Sequence, residues 1–424
     1  MPRLETPRSY ARWALSQGLN RAVLSAMSRR GDPLAELMWS QEQPDYRRLR
    51  ARGPIHATPF MAGTVSYAAA NEILRSSDFG VGDGQGELPV PLRWLLGKVS
   101  ASDALGPVDP PSLLAVDPPL HTRYRKLVSK AFTARRVGSM AEMVASVAGD
   151  LLDELDPRRG PVDIIETYAA RLPIAGIAEL LGVPAADRDD VVRWGDQAAA
   201  ILDPGLSWRD YAQVEAGMRS LHHWFETHIR RLRSDPGDDL LSALAIAGDL
   251  DDRELHALGL LLLAAGFETT VNLIGNAIAA LDAHPAQRAL LLDDPSLVDG
   301  VVEETPRWDP PVVATVRQAY ADTRVAGTDV TRGTAVALIL GGANRDPSVF
   351  ADPDAYAINR PNADQHLSFS AGAHFCLGAS LARLEARVGL RLLFERYPSL
   401  RVSGPGVRRS TRILHGYASL PVTV

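Results

Sequence analysis

The chain has 424 residues, 46% hydrophobic and 23% charged, an ordinary globular composition at a length that suggests two domains. Lys and Arg number 45 against 51 Asp and Glu, and the net charge of -6 argues against general nucleic-acid binding. A single Cys excludes an internal disulfide and fits a reducing compartment. The segment around Arg3, Arg8, Arg12 and Arg21 lacks the apolar core of a signal peptide. The longest apolar run, Ala257 to Phe267, is shorter than the roughly 20 residues of a spanning helix. The expectation is a cytoplasmic protein with no membrane span.

Residues 1–50 read as Arg-rich surface helices, followed by short strands in 55–60 and 64–67 and a helix over 69–74. Residues 78–119 form the longest irregular stretch, with Gly80, Gly82, Gly84 and Gly86 and the apolar cluster Leu92, Trp94, Leu95 and Leu96. Such a loop predicts a lid over an apolar site. Asp117-Pro118-Pro119-Leu120-His121-Thr122-Arg123-Tyr124-Arg125 then opens a helix, and His121 to Arg136 carries basic residues and no acid. A four-residue step puts His121 and Arg125 on one face, able to hold a buried carboxylate. Arg123, Lys126 and Lys130 point elsewhere, where an all-basic patch would steer a negatively charged partner. Amphipathic helices are predicted over 138–155, 163–182, 186–202 and 207–233, with the loop 203–207 as a second lid.

Asp251-Asp252-Arg253-Glu254 has the form of a helix start, and nothing breaks the pattern before His284-Pro285. That predicts a central helix of about 30 residues and about 45 Å, buried from Leu258 to Phe267. In its middle stands Ala264-Ala265-Gly266-Phe267-Glu268-Thr269-Thr270. Gly266 costs about 1 kcal/mol against Ala there, and Glu268 follows an apolar stretch in which a charge is expensive. Thr269 can bond back to the Ala265 carbonyl and bend the helix. Together they form a notch for O2 and water beside a flat ligand; the plainer alternative is a tolerated Gly with Glu268 at the helix surface.

Glu304 and Arg307, three apart in Val302-Glu303-Glu304-Thr305-Pro306-Arg307, can pair on one helical face. If exposed, such a pair contributes about 0–1 kcal/mol, and Pro306 predicts a shortened or kinked helix. Residues 311–341 read as strands of a small sheet. The only cysteine lies in Phe369-Ser370-Ala371-Gly372-Ala373-His374-Phe375-Cys376-Leu377-Gly378, just before a helix-forming run. A sulfur at a helix mouth faces unpaired N–H groups and the positive dipole end, which favour thiolate. Gly372 and Gly378 would let the backbone turn or pass close to a flat partner. A lone Cys is also commonly a small buried hydrophobe. Residues 401–402 and 420–424 predict a closing hairpin.

The spacing Phe-x-x-Gly-x-x-x-Cys-x-Gly resembles the haem-binding loop of the cytochrome P450 family. Asp-Pro-Pro-x-His-Thr-Arg-x-Arg, Ala-Gly-x-Glu-Thr-Thr, Glu-x-x-Arg, Arg317-Gln318-Ala319 and Asn359-Arg360-Pro361 are similar to segments of its soluble bacterial members. The resemblance implies one domain over 1–424, mainly α with small β-sheets, and a long central helix over haem. It implies a haem-thiolate monooxygenase that inserts one oxygen atom of O2 into an apolar small molecule. The cofactor would be haem b, with electrons ultimately from NAD(P)H through an acidic iron–sulfur ferredoxin and a ferredoxin reductase.

By the same resemblance, Cys376 is the axial thiolate, which favours O–O cleavage. His121, Arg125, Arg317 and His374 meet the haem propionates, and Ala265, Gly266, Phe369 and Gly378 border the cofactor. Thr269 holds water or peroxide and Glu268 helps deliver protons. Glu304, Arg307 and Arg360 pair structurally, and Leu95, Ala264, Val312, Val313 and Thr315 line the substrate pocket. Ser370 and Pro306 depart from the family, which most often has Gly at the first and frequently Leu at the second. Three rival readings are a haem sensor without turnover, a peroxide-driven haem enzyme, and zinc bound by His366, His374 and Cys376. The sensor has no use for Thr269 and Glu268, the peroxide-driven enzyme none for the basic face. Zinc binding leaves the central helix and the His121/Arg125 pair unexplained.

Overall fold

The structure is a computed structural model describing residues 6–39, 45–82, 106–156, 158 and 160–424. Helix ends follow local chemistry. Helices α1 (Thr6–Trp13) and α2 (Leu19–Arg29) are joined by a π-helical turn over Ala14–Gly18. Helix α3 (Tyr67–Arg75) starts at Ser66, whose side chain accepts from the Ala69 amide. Helices α4 (Leu120–Val128), α5 (Ala141–Asp153) and α6 (Arg171–Leu181) follow, and left-handed Gly182 ends the last of them. Helix α7 (Arg188–Ala199) leads to α8 (Trp208–Ser234), capped by Ser207.

The central helix is two pieces, α9 (Asp252–Gly266) and α10 (Glu268–Ala283). It begins at the expected residues: Asp251 accepts from the Glu254 amide while Glu254 reaches back to the Asp251 amide. Phe267, at φ -111° and ψ -44°, separates the pieces at the glycine of the predicted notch. Residues 252–283 are long and apolar enough to cross a membrane, but 83% of the apolar window is buried inside the protein. Leu255, Leu258, Leu260, Ile274 and Ala277 share one large helical core with Leu172 of α6 and Phe225 of α8.

Helix α11 (Val298–Trp308) continues past Pro306 to Trp308, so the proline does not end it. Proline stands in the last turn, where it forfeits one N–H bond and its φ suits the helix. The Pro306 carbonyl stays satisfied by the Ser368 hydroxyl at 2.6 Å. The Glu304–Arg307 pair is not exposed but wholly buried. Arg307 donates to both Glu304 oxygens at 2.6 and 2.7 Å, and Arg360 Nε sits 3.1–3.2 Å from the same carboxylate. The remaining Arg307 donors reach the carbonyls of Asn344, Pro353 and Ala355. A neighbouring system also escaped notice: Arg383 of α12 (Ala379–Arg396) grips Glu303 at 2.6 and 3.0 Å, with His366 on the same carboxylate.

The strands are β1 (His56–Ala57), β2 (Ala62–Thr64), β3 (Phe79–Gly80), β4 (Val162–Asp163), β5 (Ala314–Ala319), β6 (Thr323–Val325), β7 (Thr328–Val330), β8 (Ala335–Ile339), β9 (Arg401–Val402), β10 (Val407–Arg408), β11 (Tyr417–Ser419) and β12 (Pro421–Thr423). The largest sheet has the order β1-β2-β8-β5-β3, with β2 and β8 parallel. Strand β8 is buried on both faces, which explains its unbroken apolar run Ala335-Val336-Ala337-Leu338-Ile339. Phe79 and Gly80 pair with Ala319 and Gln318, so the start of the predicted 78–119 lid is sheet edge. Leu95 lies outside the described residues. The expected pairing of the chain end is present, β12 running antiparallel to β9, and β12 also pairs with β4 on its other side.

The loop at 203–207 is tied from both chain ends. Trp13 donates to the Leu206 carbonyl at 2.9 Å, Gln17 accepts from the Gly205 and Leu206 amides, and Arg21 donates to the Gly205 carbonyl. From the other end, the Arg412 and Ile413 amides donate to the Asp203 carboxylate.

Candidate active site

The cysteine loop is a closed turn. The Cys376 amide donates to the Phe369 carbonyl at 2.8 Å, across a 3-10 turn at Gly372–His374. Ser370 and Gly372 both have left-handed backbone, φ +62° and +66°. This explains why Gly is favoured at position 370. At Gly372 a Cβ would come 2.2 Å from the Leu74 carbonyl oxygen, so this glycine seats the loop on the end of α3. A Cβ at Gly378 would meet no heavy atom within 4 Å. Burial pushes the Cys376 thiol up, while the Gly378 and Ala379 amides and the Arg125 and Arg383 guanidiniums favour its thiolate. Arg383 also lies over the Phe369 ring, 4.4 Å from its centre.

Three basic side chains from other segments, His121, Arg125 and Arg317, gather with His374 of this loop. The rings of His121 and His374 are 4.2 Å apart. His121 is buried and its Nε2 has no partner. His374 Nε2 is 3.4 Å from Asp117, which also accepts from Tyr320 and from the Val81 amide. Burial, then Arg317 and His121, push His374 down to about 4, and burial with Arg125 lowers His121. Arg317 is only 6% exposed and donates to Thr315 Oγ1 and the Val316 carbonyl. Neither Arg317 nor half-buried Arg125 has a carboxylate partner within ion-pair distance among the described residues.

On the central helix, Ala265 is exposed and Gly266 and Thr269 are partly exposed within an otherwise buried run. Thr269 Oγ1 donates to the Ala265 carbonyl at 3.1 Å, the expected back-bond beside the break. Gly266 does not face this opening: a Cβ there would lie 2.7 Å from Ile177 Cδ1, so the glycine lets α6 and α9 approach. Ala264 is likewise buried. Glu268 is not at the helix surface but 2% exposed, with Oε2 unpartnered and Oε1 2.8 Å from Arg409 Nε. Burial raises its carboxyl to about 8 against the opposing pull of Arg409.

The expected pocket residues separate. Val313 packs with Leu24, Leu34 and Ala337 in a core beneath the sheet, and Thr315 serves Arg317. Val312, partly exposed, bridges to Leu414. His366 is buried beside Glu303 and Phe369, away from the zinc set proposed for it. Among the described residues no group of three or more His, Cys, Asp or Glu is arranged to hold a metal ion. Arg123 pairs with Glu254 at 2.7 Å instead of standing free on the basic face, whereas Lys126 and Lys130 are exposed. Arg409 and its second partner Asp196 were missed. The signal available was the cluster Arg408, Arg409 and Arg412 near an acidic chain's end.

Comparison with known proteins agrees with this geometry. The cytochrome P450 family model matches residues 291–407. Cytochrome P450 140 of Mycobacterium bovis is 45% identical over 97% of both chains. The vitamin D(3) 25-hydroxylase of Pseudonocardia autotrophica is 37% identical, covering 95% of this chain and 98% of its own. The crystal structure of ligand-free CYP164A2 of Mycobacterium smegmatis superposes with a TM-score of 0.83 at 35% identity, covering 92% and 99%. The chain belongs to the cytochrome P450 family. It is a haem-thiolate monooxygenase that uses haem b, O2 and electrons drawn from NAD(P)H through a redox partner to oxidise its substrate.

Proposed function

We propose that Cys376 would supply the thiolate that ligates the haem, that His121, Arg125, Arg317 and His374 would hold its propionates, and that Phe369 and Gly378 would lie against it. The observation that carries this reading is the set of buried donors lacking an anion: Arg317, Arg125 and the unpartnered His121 Nε2. An unpaired buried cation is expensive, and two carboxylates would supply what these groups lack. The open side of Gly378 suits a flat group near the sulfur. These residues therefore fit haem. When bound, it supplies thiolate-ligated iron that activates O2.

The chain's own share of the chemistry is proton handling. Thr269, beside exposed Ala265, offers a hydroxyl to hold water at the helix break. Glu268, raised to about 8, carries a proton at neutral pH, and its free Oε2 makes it the donor. Ala265 and Val312, both reachable, border the substrate; a relative named for hydroxylating vitamin D(3) supports an apolar one. The electron donor in this reading is an acidic iron–sulfur ferredoxin with its reductase, supported by exposed Lys126 and Lys130 next to Arg125. The reading includes a single catalytic domain in the cytoplasm, supported by the lone Cys and the burial of the central helix. Haem retention tests it: Arg317→Ala and His121→Ala should each lose haem faster to an apo-globin acceptor than wild type. Unchanged release from both would remove the propionate assignment.

A further inference from the structure

Glu268 is the inner end of a chain of charges that reaches the surface. Arg409, just after β10, lies between two carboxylates: Nε forms an ion pair with Glu268 Oε1 at 2.8 Å without hydrogen-bond alignment, and Nη1 donates to Asp196 Oδ1 at 2.7 Å. Asp196 belongs to α7 and its side chain is 46% exposed, whereas Glu268 at the start of α10 is nearly inaccessible. Asn272, one turn along α10, is the third neighbour, and neither its oxygen nor its nitrogen has a hydrogen-bond partner. One guanidinium neutralises one carboxylate, so the trio carries a surplus negative charge unless one acid is protonated. Burial selects Glu268 for that proton.

We propose that Arg409 and Asp196 are positioning residues for Glu268, Arg409 fixing one of its oxygens and Asp196 returning protons to it from solvent. The inference rests on the reading of Glu268 as proton donor. In each cycle Glu268 gives up the proton on Oε2 and becomes a carboxylate, held for that moment by Arg409. Asp196 takes a proton from water and passes it to Glu268, which restores the acid and leaves Asp196 a carboxylate again. The two partners act with opposite sign, since Arg409 lowers the Glu268 carboxyl and Asp196 raises it. Loosened packing alone would not produce opposite signs.

The test is a pH titration of the infrared band of the protonated carboxyl in the haem-loaded enzyme, assigned to Glu268 by its absence in Glu268→Gln. The wild-type midpoint is expected near 8. Arg409→Met should move it up, by about 1–3 pH units for loss of an adjacent opposite charge. Asp196→Asn should move it down, and Arg409→Lys should return it towards wild type. Asp196→Asn should also raise the peroxide released per NAD(P)H consumed, because Glu268 is reloaded more slowly. Midpoints unmoved in Arg409→Met and Asp196→Asn, or moved in the same direction, would overturn the relay. If Glu268→Gln itself leaves peroxide release unchanged, the proton-donor reading falls, and the relay with it.

Discussion

The rings of His121 and His374 face each other 4.2 Å apart, brought together from α4 and the cysteine loop. Both are pushed towards the neutral form. Two neighbouring imidazoles held towards the neutral form, their planes tilted by 47°, beside two cations without carboxylate partners form a donor array for an anion. Removing one donor to a charged group costs about 1.5–3 kcal/mol. Arg317→Ala should therefore weaken haem binding about ten- to a hundredfold, read by haem transfer, while Arg317→Lys recovers only part because one ammonium lacks the planar fork.

Arg307 is the largest fully buried side chain among the described residues, and each of its hydrogen bonds ends on Glu304 or a carbonyl. Breaking a buried pair on one side costs about 3–5 kcal/mol. Arg307→Ala and Glu304→Ala should each yield little folded protein, with thermal unfolding well below wild type. Wild-type melting in either variant would refute the structural role.

Ser370 adopts φ +62°, and its hydroxyl is buried with no partner. The left-handed conformation costs a non-glycine residue about 1–2 kcal/mol. Ser370→Gly should stabilise the protein by about 1 kcal/mol in denaturant unfolding. A loss of stability would mean that the hydroxyl contributes more than the strain takes.

Thr269→Ala should uncouple electron use from product. NAD(P)H oxidation continues, peroxide release rises several-fold, and Thr269→Ser retains most of the coupling. Peroxide yield per NAD(P)H consumed measures it, and unchanged coupling in Thr269→Ala would remove this hydroxyl from proton handling.

His256 of α9 stacks on His222 of α8 at 4.0 Å, and burial with His222 pushes it down to about 4. Its folded value lies below the ordinary 6.5, so between pH about 6.5 and 4 the unfolded chain binds more protons. Stability falls as acid is added across that window, by about 3 kcal/mol at most from this residue. His256→Phe should flatten the corresponding part of the melting-temperature profile between pH 7 and 4.5.

What was legible in the sequence was chemistry carried by neighbours along the chain. The capping acids Asp251 and Glu254, the pair Glu304 and Arg307, and the sulfur before Ala379 each announce themselves within a few residues. Contacts between remote segments were not legible. Nothing near Glu268 names Arg409 or Asp196, and nothing near 203–207 names Trp13, Gln17 or Arg21. Burial that depends on the fold was not legible either. The Glu304 pair is interior rather than exposed, and Gly266 faces Ile177 rather than the opening beside Thr269. Pro306 stays within the helix, and its own carbonyl, in the last turn, accepts from Ser368 and Asn344 of other segments.

The central claim is that Cys376 supplies the axial sulfur. The reduced, CO-bound absorption spectrum tests it most directly, on freshly purified wild type and on Cys376→His. Wild type should show the red-shifted Soret band of thiolate-ligated haem, and Cys376→His should bind haem but lose that band. A wild-type spectrum without the shift, or a Cys376→His spectrum that keeps it, would contradict the assignment.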